Sequence, residues 1–159
     1  MSISELKQYG LADMDDTEIH DFLTNQGIGV LGLPTTESPY LLPMSFGFDG
    51  DSALYFTYLL GEQSRKEELS KQADSARFLV YDSNSMYDWR SVLLAGTLSE
   101  VPEDQWDSIE ETLINAWYPE LLESAELSRG MAIYRFDIAD RIGIKHSGLP
   151  PGFRGEAEN

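Results

Sequence analysis

Apolar positions return at two different periods along the chain, and each period names an element. Asp15 followed by Glu18 is a capping-box pattern, and Ile19, Phe22 and Leu23 then recur at helical spacing, which predicts a helix over 15–26 stopped by Gly27. Ile28–Leu33 is a short apolar run, the Pro34 to Pro39 stretch is turn chemistry, and Tyr40–Phe48 reads as a second strand, so the pair has hairpin grammar. Within Tyr40–Phe48, Leu42, Met44, Phe46 and Phe48 share one side and Leu41, Pro43, Ser45 and Gly47 the other, one bulky and one thin. A thin face leaves room for a flat ligand, or it accommodates a close-packed neighbour; alternation alone leaves both open.

Asp49-Gly50-Asp51 supplies the next turn and Ala53–Tyr58 a third strand, giving an antiparallel meander. Ser64 and Glu67 suggest a second capping box, ahead of a short polar helix to about Ala73. Ala76–Tyr81 and Ser91–Ser99 read as strands four and five. Pro102 suits the first position of a longer helix with Trp106, Ile109, Leu113 and Trp117 on one face and Pro119 at its end. A last strand is expected over Met131–Ile138. The sum is an α+β chain, mostly β, with a six-stranded antiparallel barrel and flanking helices. Without repeats or low-complexity linkers, 1–159 is expected to be a single domain, with 1–12 and 147–159 as its flexible ends.

Charge then narrows the function. The chain has 159 residues, 28 Asp+Glu against 11 Lys+Arg, a formal charge of −17, and no cysteine. Such a surface repels phosphate backbones and anionic lipid, so neither nucleic acid nor membrane is an expected partner. Absent cysteine excludes disulfides and thiol chemistry, and with no secretion signal or spanning segment apparent, a cytoplasmic location is expected. Lysine is confined to positions 7, 66, 71 and 145. This resembles a halophile's surface, in which molar salt shortens the Debye length to about 3 Å and makes crowded carboxylates compatible with folding; an acidic mesophilic protein is the plainer alternative.

Arg65 and Lys66 are the only adjacent basic pair, and they follow the candidate N-cap Ser64 on the first turn of the short helix. Cations there oppose the helix dipole, at a cost of a few tenths of a kcal/mol, unless an anion occupies the site. Backbone N–H groups, a hydroxyl and two cations would suit a phosphate. The competing reading is a solvated network of Arg65 and Lys66 with Glu62, Glu67 or Glu68. His20 reads as a surface or boundary residue and His146 as structural, and no HExxH, P-loop or GxGxxG is present.

The order of these pieces carries a resemblance. Leu41-Leu42-Pro43-Met44-Ser45-Phe46-Gly47-Phe48-Asp49, then Leu54-Tyr55-Phe56-Thr57-Tyr58, then Ser64-Arg65-Lys66, then Arg90-Ser91-Val92-Leu93-Leu94-Ala95-Gly96 resembles the pyridoxamine 5′-phosphate oxidase-like FMN-binding split-barrel family over about residues 15–138. The resemblance implies a homodimer with FMN in clefts between the subunits. It implies that Lys66, Arg65 and Ser64 hold the FMN phosphate, that Thr57 bonds to the cofactor, and that Pro43, Met44, Ser45 and Phe46 line the isoalloxazine ring. Tyr55 and Phe56 would flank the pocket, and Trp89, Arg90 and Ser91 would approach from the partner chain. Ile138 to Asn159 lacks the Trp-, Arg- and His-rich segment with which the full oxidases bind substrate phosphate, so the chain is more similar to the shorter, nitroimidazole-resistance-like branch. The implied activity is electron or hydride transfer through flavin N5 with a small-molecule substrate; the alternatives are a non-catalytic flavin- or haem-binding module and a deazaflavin-dependent reductase.

Melting temperature should rise steeply from dilute buffer to molar KCl, measured by circular dichroism; a salt-indifferent melting curve would refute the halophilic reading.

Overall fold

Helix α2, Asp16–Asn25, starts where the capping box places it: the Asp15 carboxylate accepts from the Glu18 N–H at 2.8 Å and the Glu18 carboxylate accepts from the Asp15 N–H at 2.9 Å. Its face of Ile19, Phe22 and Leu23 is buried. Burial of side chains this size stabilises by about 1.5–3 kcal/mol each, which is what attaches a short helix to a barrel. The computed structural model describes residues 3–60, 64–114 and 130–148. Among them lie α1 (Ile3–Leu6), α2, α3 (Arg65–Gln72) and α4 (Glu110–Ile114). The strands are β1 (Leu11–Asp13), β2 (Ile28–Leu33), β3 (Tyr40–Ser45), β4 (Gly47–Phe48), β5 (Ala53–Leu59), β6 (Ala76–Ser85), β7 (Asp88–Glu100) and β8 (Met131–Ser147).

All ladders are antiparallel, in the order β3-β2-β6-β7-β8-β5-β4, with β1 added on β8. The two ends of that path, β3 and β4, are consecutive stretches of chain separated only by Phe46, so the sheet returns on itself as a barrel. β3 pairs with β2 as far as Ser45↔Ile28, and β4 pairs with β5 from Gly47↔Tyr55 onward. Phe46 gives its N–H to the Gly27 carbonyl at 3.0 Å and buries its ring against Phe78. The expected second strand is therefore one segment shared between two neighbours, and between β3 and β5 no ladder pair forms among the described residues. The barrel is split there. Fold class and antiparallel connections agree with the pattern read from the sequence; the strand number is eight and not six.

The extra strands have physical causes. One is the break at Phe46. The other is β1, within the segment expected to fray, where Leu11, Ala12 and Asp13 pair with His146, Lys145 and Ile144. That partner exists because β8 runs to Ser147 and not Ile138, past a register shift opposite Ala95 and Gly96. The polar Asp140-Arg141 pair hid this continuation, since a strand leaving the core no longer alternates cleanly. Residues 149–159 lie outside the described residues. Likewise Pro102 is the N-cap and not the first residue of its helix, which winds as a 3-10 helix over Glu103–Ile109 before α4. Trp106, Ile109 and Leu113 do pack on one cluster with Ala53, Tyr55, Val101 and Ile133; Trp117 and Pro119 lie outside the described residues.

The barrel interior is aromatic and aliphatic, with Leu31, Leu33, Phe56, Tyr58, Phe78, Val80, Val92, Leu94, Tyr134 and Phe136 buried in one cluster with the α2 face. Two glycines are demanded by close approach. A Cβ on Gly47 would meet the Thr112 carbonyl oxygen at 2.0 Å, so α4 can lie on β4 only over a glycine. A Cβ on Gly96 would meet the Asp137 carbonyl oxygen at 2.1 Å and the Phe136 ring at 2.8 Å, at the β7–β8 register shift. Neither obstacle is the end of a flexible chain. Gly96→Ala should destabilise by about 3 kcal/mol, the upper end of ordinary overpacking, seen as a lower urea midpoint with an unchanged m value; an unchanged midpoint would mean that the ladder yields there.

Candidate functional site

Lys66 lies on the first turn of α3, beside the split. Its ammonium is 5.2 Å from the centroid of the Tyr58 ring, and the side chain is only partly exposed. Burial lowers its pKa from the ordinary lysine value. Among the described residues no carboxylate pairs with it: Glu67 is taken by Lys71 at 2.6 Å, one helical turn on. The surface network proposed for Glu67 is thus made with a different lysine, and Glu62 lies outside the described residues. Arg65 has no ion pair among the described residues either; its guanidinium lies 6.0 Å from the Tyr40 centroid.

Local hydrogen bonding holds this turn in place. The Ser70 hydroxyl donates to the Lys66 carbonyl at 2.6 Å, so the Tyr58 hydroxyl, 2.8 Å away, must be the donor to Ser70. Tyr58 is thereby fixed as neutral, and burial pushes its pKa up to about 12. Its ring stacks on Tyr134 with centroids 4.4 Å apart. Burial, then the negative charges of Glu100 and Glu67, push Tyr134 up to about 12 as well, and its buried hydroxyl has no hydrogen-bond partner among the described residues. The expected capping box is not formed: Ser64 is the N-cap, but its side chain makes no cap bond. With the Glu67 carboxylate drawn to Lys71, the reciprocal half is lost too, and the first-turn N–H groups keep no side-chain acceptor among the described residues.

The other expected residues divide between core, split and the far end of the barrel. The side chains of Met44, Phe46 and Phe56 are buried in the main core. Tyr55 is buried in the smaller cluster, and its hydroxyl accepts from Arg135 at 3.1 Å. Pro43 is exposed and Ser45 and Thr57 are partly exposed, on the outer side of the strands that flank the split. The thin face thus serves two purposes. At Gly47 it admits α4, and from Ser45 back to Leu41 it stays open.

Trp89, Arg90 and Ser91 are remote from Lys66 in the same chain. They lie at the start of β7, whose other end, Glu100, acts electrostatically on Lys71 of α3; roughly 35 Å of strand separates Trp89 from Glu100. Arg90 turns toward α2, 5.3 Å from the Phe22 centroid and 3.9 Å from Asp82. There, with Glu18, Asp21, Asn25 and Lys145, it borders a cleft of about 390 Å³. Lys145 bonds to Glu18, which lowers the Glu18 pKa. Trp89 stacks near His146, 6.2 Å between centroids, and His146, buried, bonds through Nδ1 to the Tyr87 carbonyl at 2.7 Å. His20 is at the surface, edge-on to Phe48. Among the described residues no cluster of His, Cys, Asp and Glu could hold a metal, and no helix is long and apolar enough to cross a membrane.

What sequence reading missed is the support beneath the cation. Tyr58, Ser70 and Tyr134 hold the α3 turn, yet only the helical offset of Ser70 from Lys66 is visible locally, because the tyrosines arrive from two strands far apart in sequence.

An antiparallel split barrel defines a structural class, and comparison with known proteins agrees on the fold. The structure resembles an FAD-binding protein from Mesorhizobium loti, with TM-score 0.69 and 20% identity, covering 87% of this chain and 98% of that one. It also resembles a proposed 5-nitroimidazole antibiotic resistance protein from Bacteroides thetaiotaomicron, with TM-score 0.66 and 14% identity over 85% and 87% of the two chains. An FAD and heme binding protein from Mycobacterium smegmatis aligns with TM-score 0.66 and 19% identity, over 89% of this chain and 75% of the other. No curated protein matches the sequence significantly. The family profile described as pyridoxamine 5′-phosphate oxidase matches residues 15–145, and the chain belongs to that family.

A desolvated charge without a counter-ion costs stability. Because the folded state lowers the Lys66 pKa, the cost is present while the lysine is charged in both states and fades as pH rises toward the unfolded lysine value. Lys66→Met keeps an apolar stem on the Tyr58 ring. In the absence of ligand it should raise the melting temperature by roughly 2 °C near neutral pH, with a smaller gain in alkaline buffer. A lower melting temperature would show that the charge is compensated.

Proposed function

We propose that the protein is a flavin-dependent oxidoreductase that works as a homodimer, with each cofactor between two subunits. The observation that carries the reading is Lys66: a −17 chain holds a half-buried ammonium with no carboxylate partner among the described residues. Phosphate is the group that this donor set suits, because the uncapped first-turn N–H groups, the Ser64 hydroxyl and Lys66 can all donate to it. The cofactor is read as FMN. That two of the similar structures are FAD-binding proteins leaves the length of the nucleotide to experiment.

A bound flavin would supply hydride or electron transfer through N5. The chain's own share is to bind, orient and cover. Lys66 and the α3 turn would take the phosphate. At the split, the edges of β3 and β5 carry backbone groups outside any ladder, and these, with Thr57 and Ser45, can bond the heteroatoms of a flat ring. Pro43, with no N–H and no long side chain, gives that ring an apolar floor.

The dimer reading has a surface to rest on. Pro43, Val30, Leu79, Leu93 and Ile142 are successive partners across β3, β2, β6, β7 and β8, forming an apolar row on the outside of the barrel. Ile28, Leu41 and Tyr81 flank it, exposed by 66%, 65% and 59%. A contiguous apolar face of this kind on so acidic a molecule marks an interface. Ser91 lies on the same outer face as Leu93, two residues away, so a second copy seated on the row could bring Trp89, Arg90 and Ser91 of the partner subunit toward the split.

Two variants test the proposal. Titration of the apo-protein with FMN, followed by quenching of flavin fluorescence, should give an affinity that Lys66→Ala weakens by about 10–100-fold, the loss of one or two charge-assisted hydrogen bonds; equal affinities would place the phosphate elsewhere. Leu93→Asp should convert the dimer to monomer in sedimentation velocity and weaken FMN binding with it. A wild-type monomer that binds flavin fully would overturn the shared site.

A further inference from the structure

We propose that the groove along the outer side of α3 is a second nucleotide subsite, which takes an adenosine 5′-phosphate group next to the flavin phosphate; the proposal rests on the flavin reading of Lys66. The groove, about 540 Å³, lies between the β2–β3 turn and the Arg65–Leu69–Gln72 face of α3, and continues past the end of the helix to Asp74 and Ser75. Its size is within the ordinary range for small-molecule sites.

The two adjacent cations address different places. Lys66 reaches in over Tyr58, whereas Arg65 borders the groove and lies over Tyr40. Successive helical residues diverge by about 100° around the axis, so one phosphate bound by Lys66 leaves Arg65 with a counter-charge unmet. A second phosphate at the groove mouth would answer it, and a guanidinium is well shaped for that. The remaining lining suits a nucleoside. Pro34, Leu69 and Ala73 offer an apolar surface for a purine face, and the Thr36 hydroxyl and Gln72 amide can meet its polar edge. The carboxylate of Asp74 lies beyond the C-terminal end of α3, more than roughly 10 Å from the Arg65 turn. It can accept from ribose hydroxyls, and it repels phosphate, which sets the direction of binding with phosphate at Arg65.

Two molecules carry this group: a flavin dinucleotide, or a nicotinamide dinucleotide acting as electron donor. Calorimetric titration of apo-protein in molar KCl separates them, using FMN, FAD and 5′-AMP as probes. In both cases 5′-AMP binds FMN-loaded protein. If the group belongs to the flavin, FAD binds at least tenfold tighter than FMN, and FAD-loaded protein no longer takes 5′-AMP. If it belongs to the donor, FMN and FAD bind alike, 5′-AMP binds protein loaded with either, and NADH displaces it. Ser75→Trp, which fills the groove from an exposed position, and Asp74→Ala should each weaken 5′-AMP, or the FAD advantage, by tenfold or more, with FMN affinity unchanged. The subsite is overturned if FMN-loaded wild-type protein binds no 5′-AMP and FAD is no tighter than FMN, or if both variants behave as wild type. Failure of FMN to bind refutes the flavin reading instead, and the groove is then judged by 5′-AMP alone and its loss in Ser75→Trp.

Discussion

The fold depends on how one strand is divided at Phe46. Each half of the β3–β4 stretch pairs with its own neighbour, β3 with β2 as far as Ser45 and β4 with β5 from Gly47 onward. Burying the Phe46 ring and giving its N–H to Gly27 lets the two halves serve different neighbours. The same break that closes the barrel therefore leaves strand edges outside the ladders. Closure and opening have a single cause, and the candidate site lies at its outcome.

The α3 turn shows how a core supports a charge. Tyr58 is anchored inside the barrel by stacking on Tyr134, and its hydroxyl reaches α3 through Ser70. The Lys66 carbonyl is held by the same Ser70 hydroxyl. The ammonium thus sits on a ring whose position is set by core packing and not by surface flexibility, at a helix end where its charge is disfavoured. Lys71, in the last turn, is placed where the dipole favours it and has taken Glu67. The two lysines of one helix are in opposite electrostatic circumstances, and among the described residues the unfavourable one has no carboxylate partner.

The outer surface repeats the contrast. Most of it is acidic, yet one register row across five strands is apolar. Rows of this kind are invisible in any single strand, since Val30, Leu79, Leu93 and Ile142 each look like ordinary alternation and become neighbours only through pairing.

Elements with short-range causes were legible in the sequence. The Asp15–Glu18 box, the amphipathic face of α2, the Asp49 turn, in which the carboxylate accepts from three successive N–H groups, and the antiparallel hairpins follow from neighbours within a few residues. The Ser64-Arg65-Lys66 cluster was legible too, because charge against a helix dipole is a local contradiction. Other features were set by contacts distant in the chain: the break at Phe46, the continuation of β8 beyond Ile138, the strand Leu11–Asp13, and the choice of Lys71 over Lys66 by Glu67. So was the separation of Trp89–Ser91 from Lys66 within one chain. Alternation, caps and a cation at a helix start are energies between residues a turn apart, so they can be read along the chain. Tertiary structure decided which edges stay unpaired and which charge stays unmatched, since both depend on what the rest of the barrel has already used.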